Sequence, residues 1–125
     1  MMESEKHKND GHGWHDVPER VLPVWTKLFE ESREGVDVNR DCPVCGARDL
    51  HRWYYRGEPV NVISRGRKYL ARGAEWQWCS NCRSYAHYSA LVPDWWTSSV
   101  EVPLSRLVHD PEPIEQEMRR LRKTS

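Results

Sequence analysis

The 125-residue sequence lacks any long hydrophobic run and any surplus of charge. No stretch approaches the roughly 18 apolar residues that a membrane-spanning helix needs. The opening run MMESEKHKNDGHG contains no apolar core, so we expect no secretion signal. Lysine and arginine total 19, as do aspartate and glutamate, and this balance excludes a globally basic nucleic-acid coat and an acidic disordered chain. We therefore expect a cytoplasmic protein that does not bind membranes.

Motifs of the common enzyme classes are also missing. The sequence has no Gly-rich phosphate loop, no H-E-x-x-H and no nucleophile elbow. Its central histidines, His51, His87 and His109, are dispersed along the chain. A pairing of His87 with Tyr85 or Tyr88 would suit acid–base catalysis, but such a pair more commonly forms a structural hydrogen bond. We expect a protein that is not an enzyme and has no small-molecule substrate.

Tryptophan, by contrast, is abundant, with 7 residues in a chain of 14.8 kDa. Charged residues make up 30% of the chain and hydrophobic residues 38%, so the core must be small. Large aromatic side chains bury the most area per residue, and they allow a short polar chain to form a core. The length suits one domain.

Four cysteines form two C-x-x-C pairs with 33 residues between them: Cys42, Cys45, Cys79 and Cys82. Structural disulfides are rare in reducing cytosol, and paired C-x-x-C motifs at this separation indicate zinc held by four thiolates. Each tight turn aims two sulfurs at one point, and two turns supply the corners of a tetrahedron. Because all four ligands are cysteine, we expect structural rather than catalytic zinc. A thioredoxin-like redox pair and an iron site of the rubredoxin kind are the alternatives.

The two cysteine turns differ in their local chemistry. Pro43 and Gly46 suit the first turn, because proline fixes φ and glycine permits a left-handed backbone. The second turn lacks that glycine, although Asn81 tolerates positive φ. Both turns resemble the knuckles of zinc-ribbon proteins, and this resemblance covers about residues 41–89.

The remaining patterns predict helices at both ends of the chain. Pro23 and Gly35 suit the first turn and the end of one helix, and Asp110 is a good N-cap for another. We predict a disordered polar tail (1–16), an N-terminal helix (17–35), a zinc-ribbon β domain with four cysteine ligands (36–109) and a C-terminal helix (110–125). Within the tail, His7, His12 and His15 offer a second metal site, but solvated tail residues are the simpler interpretation.

Alternating and β-prone runs in the central region predict several short strands. These strands cover 50–56, 60–63, 67–71, 75–79, 85–91 and, at an edge, 100–102. Turns are expected at 57–59, at 64–66 and at 93–96. The predicted fold class is α+β, with a zinc-ribbon-like antiparallel β core and a helix at each end.

The neutral charge conceals two oppositely charged segments. Residues 65–83 hold five basic side chains and one acid, a net charge of +4, whereas residues 94–117 hold six acids and one arginine, a net charge of −5. The basic hairpin would suit phosphate binding, with Arg65, Arg67, Lys68 and Arg72 as contacts. The alternative is a solvated hairpin whose charges meet the acidic C-terminal region.

The acidic segment suggests a basic protein partner. Tryptophan is enriched at interface hot spots, and complementary charge raises encounter rates. The candidate partner-binding residues are Asp94, Trp95, Trp96, Glu101, Trp76 and His87. We also expect that one of the adjacent tryptophans, Trp95 and Trp96, belongs to the core.

The run WQWCSNCRSYAHYSALVPDWW, residues 76–96, carries a further resemblance. Together with the C-P-x-C start at Cys42, it resembles small bacterial proteins with a W-x-W-C-x-x-C turn, an aromatic-histidine-tyrosine stretch and an L-V-P-acidic-W-W ending. Such proteins resemble immunity proteins of polymorphic toxin systems, including contact-dependent inhibition loci. The resemblance implies a non-catalytic module that binds and neutralises a cognate toxin domain, and nucleic-acid binding through the hairpin 65–83 is the alternative function.

Overall fold

The computed structural model describes residues 13–33 and 35–124, with side chains to residue 123. Three long strands dominate the described chain, and a helix lies on either side of them in sequence. The elements are β1 (His15–Asp16), α1 (Leu22–Glu31), β2 (Asp37–Val38), β3 (Leu50–Ser64), β4 (Arg67–Cys79), β5 (Ser84–Pro93) and α2 (Glu112–Thr124), with 3-10 turns at Glu19–Val21 and Leu104–Arg106.

The described strands form one sheet in the order β1-β5-β4-β3-β2. The pairs β2–β3, β3–β4 and β4–β5 are antiparallel, and the short β1 lies parallel to β5. This arrangement confirms the α+β class and the antiparallel core with a helix toward each end. The turn Ser64–Gly66 is also confirmed, since Arg65 and Gly66 adopt positive φ values of 53° and 77° between β3 and β4.

The two helices cover opposite faces of the sheet. Successive side chains in a strand point to opposite faces, and Trp78 meets α2 while its neighbour Gln77 meets α1. The Trp78 indole N–H donates to Glu115 of α2, and the Trp25 indole N–H of α1 donates to Gln77. The strands are therefore covered on both sides at the end near the cysteines, where residues 50–54 of β3 and 75–79 of β4 are all buried.

Fewer and longer strands form than the sequence predicts. Gly57 and Pro59 do not interrupt β3, because the β3–β4 register shifts on either side of Pro59, where an irregular ladder tolerates a residue without an N–H. Similarly, Gly73 lies within β4. A Cβ atom at residue 73 would lie 1.8 Å from the Tyr55 carbonyl oxygen, so this close approach of two backbones requires glycine. The predicted edge strand 100–102 is not a strand in the structure.

The N-terminal boundaries also differ from the prediction. The helix α1 is shorter than the predicted 17–35, since a 3-10 turn precedes it and Ser32 leaves it with extended backbone. The predicted tail 1–16 ends by Trp14, which is only 1% exposed and donates to Glu112 at 2.7 Å. His15 lies in β1, and its Nε2 contacts the Cys82 carbonyl oxygen at 2.9 Å. His7 and His12, with the rest of 1–12, lie outside the described residues.

Candidate metal centre and partner surface

The sheet register brings the two cysteine pairs together. Leu50 at the start of β3 pairs with Cys79 at the end of β4, so the loop that precedes β3 lies against the turn that follows β4. The Sγ atoms of Cys42 and Cys82 are 3.8 Å apart, and those of Cys45 and Cys79 are 3.7 Å apart. All four sulfurs lie within 4.8 Å of one another. The four predicted ligands therefore form one cluster that can hold a metal ion.

The backbone of each cysteine turn becomes left-handed after its second cysteine. Gly46 does so in the first turn, with φ 84°. In the second turn the equivalent residue is Arg83, with φ 63°, and not the expected Asn81. Such a conformation costs a non-glycine residue roughly 1–2 kcal/mol. Two contacts of the Arg83 guanidinium offset this cost, one over the Trp14 ring at 4.7 Å and one with Glu112 at 3.4 Å.

Hydrogen bonds and burial act differently on the four thiols. Burial acts to raise the pKa of Cys45, but donors from the Asn81 side chain and the Ala47 amide outweigh it and lower that pKa to about 7. Burial raises the pKa of Cys42 and of Cys79. A bound cation reverses the effect of burial, because a thiolate that coordinates a metal is deprotonated outright. The cluster is thus suited to a metal ion.

The cluster is part of the core beneath α1. Cys42 and Cys79 are buried together with Trp25, Phe29 and Leu50. With four sulfur ligands, such a centre has no coordination position left for a substrate. The arrangement favours a structural metal that fixes α1 and the strand ends to one another.

Two of the candidate partner-binding residues are buried and so are not accessible to a partner, and the burial of Trp96 confirms that one of the two adjacent tryptophans belongs to the core. Trp76 is 4% exposed, stacks on His87 with centroids 4.1 Å apart, and donates to the Val108 and His109 carbonyl oxygens. Trp96 is 6% exposed and packs edge-on against Tyr54. The segment before α2 thus covers Trp76, and both rings belong to the hydrophobic core.

The other candidates remain accessible to different degrees. Asp94 and Glu101 are exposed, whereas Trp95 and His87 are half-buried. The Arg52 guanidinium lies 5.1 Å from the centroid of the Trp95 ring and holds it in place. Burial lowers the pKa of His87, and the charge of His109 acts in the same direction. Asp94, Trp95 and Glu101 are called the docking patch below.

The acidic C-terminal segment does not form an acidic face. The Glu112 side chain accepts from the Trp14 indole, and that of Glu115 accepts from Trp78. The Asp110 side chain caps α2 by accepting from the Glu112 amide at 2.9 Å, as predicted, and Glu117 pairs with arginines. Most of the charge that suggested a docking face is used inside the molecule.

The basic hairpin presents its charge to solvent. The four predicted phosphate contacts are all exposed: Arg65, Arg67, Lys68 and Arg72. Within 13–33 and 35–123, the structure records no ion pair for any of the four. Arg83 differs, since it pairs with Glu112 and so meets the acidic C-terminal region as the alternative interpretation predicted.

A second polar cluster lies under α1, and our sequence analysis missed it. Arg52, Glu75 and Gln77 are buried there beside the hydroxyl-bearing rings of Tyr54 and Tyr88. In the segment 75–78 glutamate and glutamine alternate with tryptophans, and we assigned no function to these polar positions. The signal was available, because two polar residues that alternate with core tryptophans must either face solvent or form a buried network.

None of the described helices is long and apolar enough to cross a membrane. Comparison with protein-family models, with curated proteins and with solved structures finds no match.

Proposed function

We propose that the four cysteines hold a structural zinc ion in a zinc-ribbon-like arrangement. A regular tetrahedron with zinc–sulfur distances of about 2.3 Å has sulfur–sulfur edges of about 3.8 Å. The two sulfur pairs at 3.7 and 3.8 Å fit those edges. Elemental analysis and visible absorbance of the purified protein test the metal, with one zinc per chain and no visible colour expected. Stoichiometric iron would contradict the assignment. Reduced thiolates also favour a cytoplasmic location.

We propose further that the protein is a non-catalytic binding module, most concretely an immunity protein that binds and neutralises a bacterial toxin domain. The observation that carries this proposal is the closed four-sulfur centre, since it rigidifies the sheet and offers no reactive position. Rigid presentation lowers the entropy that is lost on docking. The resemblance over residues 76–96 supports the same class of function.

Exposure narrows the surface on which we expect such a partner to dock. Of the six acids in segment 94–117, only Asp94 and Glu101 are exposed, and they accompany the half-buried Trp95. Many toxins that act on nucleic acids carry basic clefts, and exposed acids on the same stretch of chain as an aromatic residue would complement such a cleft. We therefore expect the partner to contact the docking patch and not the whole segment 94–117.

Co-expression in a test host examines this function. The toxin candidate is the C-terminal domain of the product that the neighbouring gene encodes in the native genome. We expect the chain to restore growth and the double variant Asp94→Lys/Glu101→Lys to lose at least tenfold in affinity for the purified domain. Glu19→Lys, an exposed acid before α1, is the matched control. Absence of rescue contradicts the immunity function, and equal binding by the double variant contradicts the docking patch.

A second candidate function is nucleic-acid binding through the hairpin 65–83. The exposure of four cations on one hairpin favours it. Four phosphate contacts predict that the logarithm of affinity for a single strand falls with the logarithm of salt concentration with a slope of about −3. The triple variant Arg65→Gln/Arg67→Gln/Lys68→Gln should flatten that slope, whereas Arg33→Gln should not. No binding to single-stranded DNA or RNA at low salt removes this candidate.

A further inference from the structure

The missed polar cluster surrounds a cavity between α1, the sheet and the turn after β5. The cavity has a volume of about 170 Å³, and its walls include Glu30, Tyr54, Arg67, Glu75, Tyr88 and Trp95. We call it the Glu75 pocket. A volume of this order suits one small head group, because an engineered cavity of about 150 Å³ accepts benzene.

The floor of the pocket is a carboxyl group that neighbouring side chains hold in place. Glu75 is 9% exposed, and the sheet register places it between Tyr54 of β3 and Tyr88 of β5. Its Oε2 atom accepts from the Gln77 amide at 2.8 Å. The Gln77 side-chain oxygen in turn accepts from the Tyr88 hydroxyl at 2.6 Å and from the Trp25 indole at 2.9 Å. The carboxyl group thus has a fixed position.

Two carboxylates, those of Glu30 and Glu75, and two guanidiniums, those of Arg52 and Arg67, line the pocket, so a positive ligand is favoured only at the carboxylates. Burial raises the pKa of Glu75, and the negative charge of Glu30 on α1 acts in the same direction. The positive charge of Arg52 opposes this effect. However, the Arg52 guanidinium donates to the Phe29 and Ser32 carbonyl oxygens at 2.9 and 2.8 Å, so it also hydrogen-bonds the C-terminal end of α1. Arg67 lies in the wall and is exposed. A cation between Glu30 and Glu75 would relieve the repulsion between them.

The aromatic walls favour the same class of ligand. The rings of Tyr54, Tyr69, Tyr88 and Trp95 line the cavity, and a cation over an aromatic face gains about 0.5–2 kcal/mol. The Trp95 ring already has a guanidinium, that of Arg52, near one face. Carboxylates combined with several aromatic rings suit an organic cation better than an anion.

We propose that the Glu75 pocket binds the guanidinium or ammonium head of a basic side chain that the protein partner contributes. The identity of the occupant rests on the proposed function. Pro93 and Trp95, which line the pocket, flank Asp94 of the docking patch. A basic partner that docks on this patch can therefore place one side chain in the pocket as an anchor.

Binding of a small probe to the metal-loaded chain tests the pocket without the partner. We use N-acetyl-arginine methylamide as the probe and the citrulline analogue as its uncharged isostere, and we follow the indole N–H signal of Trp95 by NMR, assigned with Trp95→Phe. We expect a saturable shift with the arginine probe and none with the citrulline analogue. Glu75→Gln should weaken binding at least tenfold, and Glu19→Gln should leave it unchanged.

The exposed Arg67 provides a variant that keeps the core intact. Arg67→Gln removes a positive charge from the wall, so it should strengthen binding of the arginine probe several-fold. An equal response to the citrulline analogue, or unchanged binding in Glu75→Gln or Arg67→Gln, overturns the proposal. Probe binding without growth rescue contradicts only the immunity function, whereas growth rescue without probe binding contradicts only the pocket.

Discussion

Two buried glutamates on opposite faces of the sheet have opposite electrostatic environments. Under α2, burial acts to raise the pKa of Glu115, but hydrogen bonds from Ser80 and Trp78 and the charge of Arg119 outweigh it and lower that pKa. Under α1, burial raises the pKa of Glu75 despite its neighbours. Donors thus outweigh burial at Glu115, whereas burial outweighs the donors at Glu75. The α2 face therefore uses its carboxylate for stability, whereas the α1 face maintains an unfavourable one, as functional sites often do.

The largest expected effect is removal of the proposed metal from the α1 side. Cys79 is fully buried next to Trp25 and Leu50. Without a metal, nothing cross-links the cysteine thiols in this part of the core. Structural zinc contributes on the order of 10 kcal/mol in apparent terms in small modules. We expect exhaustive chelation, or Cys79→Ser, to abolish the cooperative thermal transition that circular dichroism follows, and added zinc to restore it only in the wild type. A cooperative melt that survives chelation contradicts the structural role.

The second effect is loss of the ionised carboxylate on the α2 face. Glu115→Gln removes the charge that accepts from Trp78 and Ser80 and leaves an amide opposite Arg119. Hydrogen bonds to charged groups contribute about 1.5–3 kcal/mol. We expect denaturant unfolding at neutral pH to show a loss of about 2 kcal/mol.

Acid titration separates this charge effect from a packing effect. Because the folded state lowers the pKa of Glu115, its contribution is present above the ordinary value of 4.5 and is lost as pH falls through the lower folded value. The difference between wild type and Glu115→Gln should therefore shrink in acid, while Glu19→Gln should change stability by less than about 0.5 kcal/mol throughout. A difference that is constant with pH contradicts the electrostatic explanation.

Features that depend on neighbouring residues could be predicted from the sequence. The C-x-x-C spacing determines where each sulfur pair points, Asp110 caps the turn that follows it, and the turn at Arg65–Gly66 needs no distant partner. The meeting of the two cysteine pairs could be predicted because zinc chemistry provides the long-range constraint. These elements give the four-cysteine cluster and the fold class.

Features that depend on distant pairing could not be predicted in this way. Trp14 is ordered by Glu112, 98 residues away, and nothing in the surrounding polar run indicates that contact. The acids of 94–117 suggested a surface because charge is usually solvated, yet Glu112 and Glu115 satisfy indole donors of the core. The abundance of tryptophan predicted a core, but it could not show that Trp76 is buried in that core whereas Trp95 is only half-buried.

The last prediction compares the two faces directly by replacing the unfavourable carboxylate. The folded state raises the pKa of Glu75, so the wild type loses stability as pH rises from the ordinary value of 4.5 through the raised value. Glu75→Gln keeps the shape and an acceptor for Gln77 but carries no charge. We expect this variant to melt at a higher temperature than the wild type at about pH 8, with the advantage disappearing near pH 4. This behaviour is opposite in sign to that of Glu115→Gln, and a variant that is less stable in the alkaline range would mean that Glu75, like Glu115, stabilises the fold as a carboxylate.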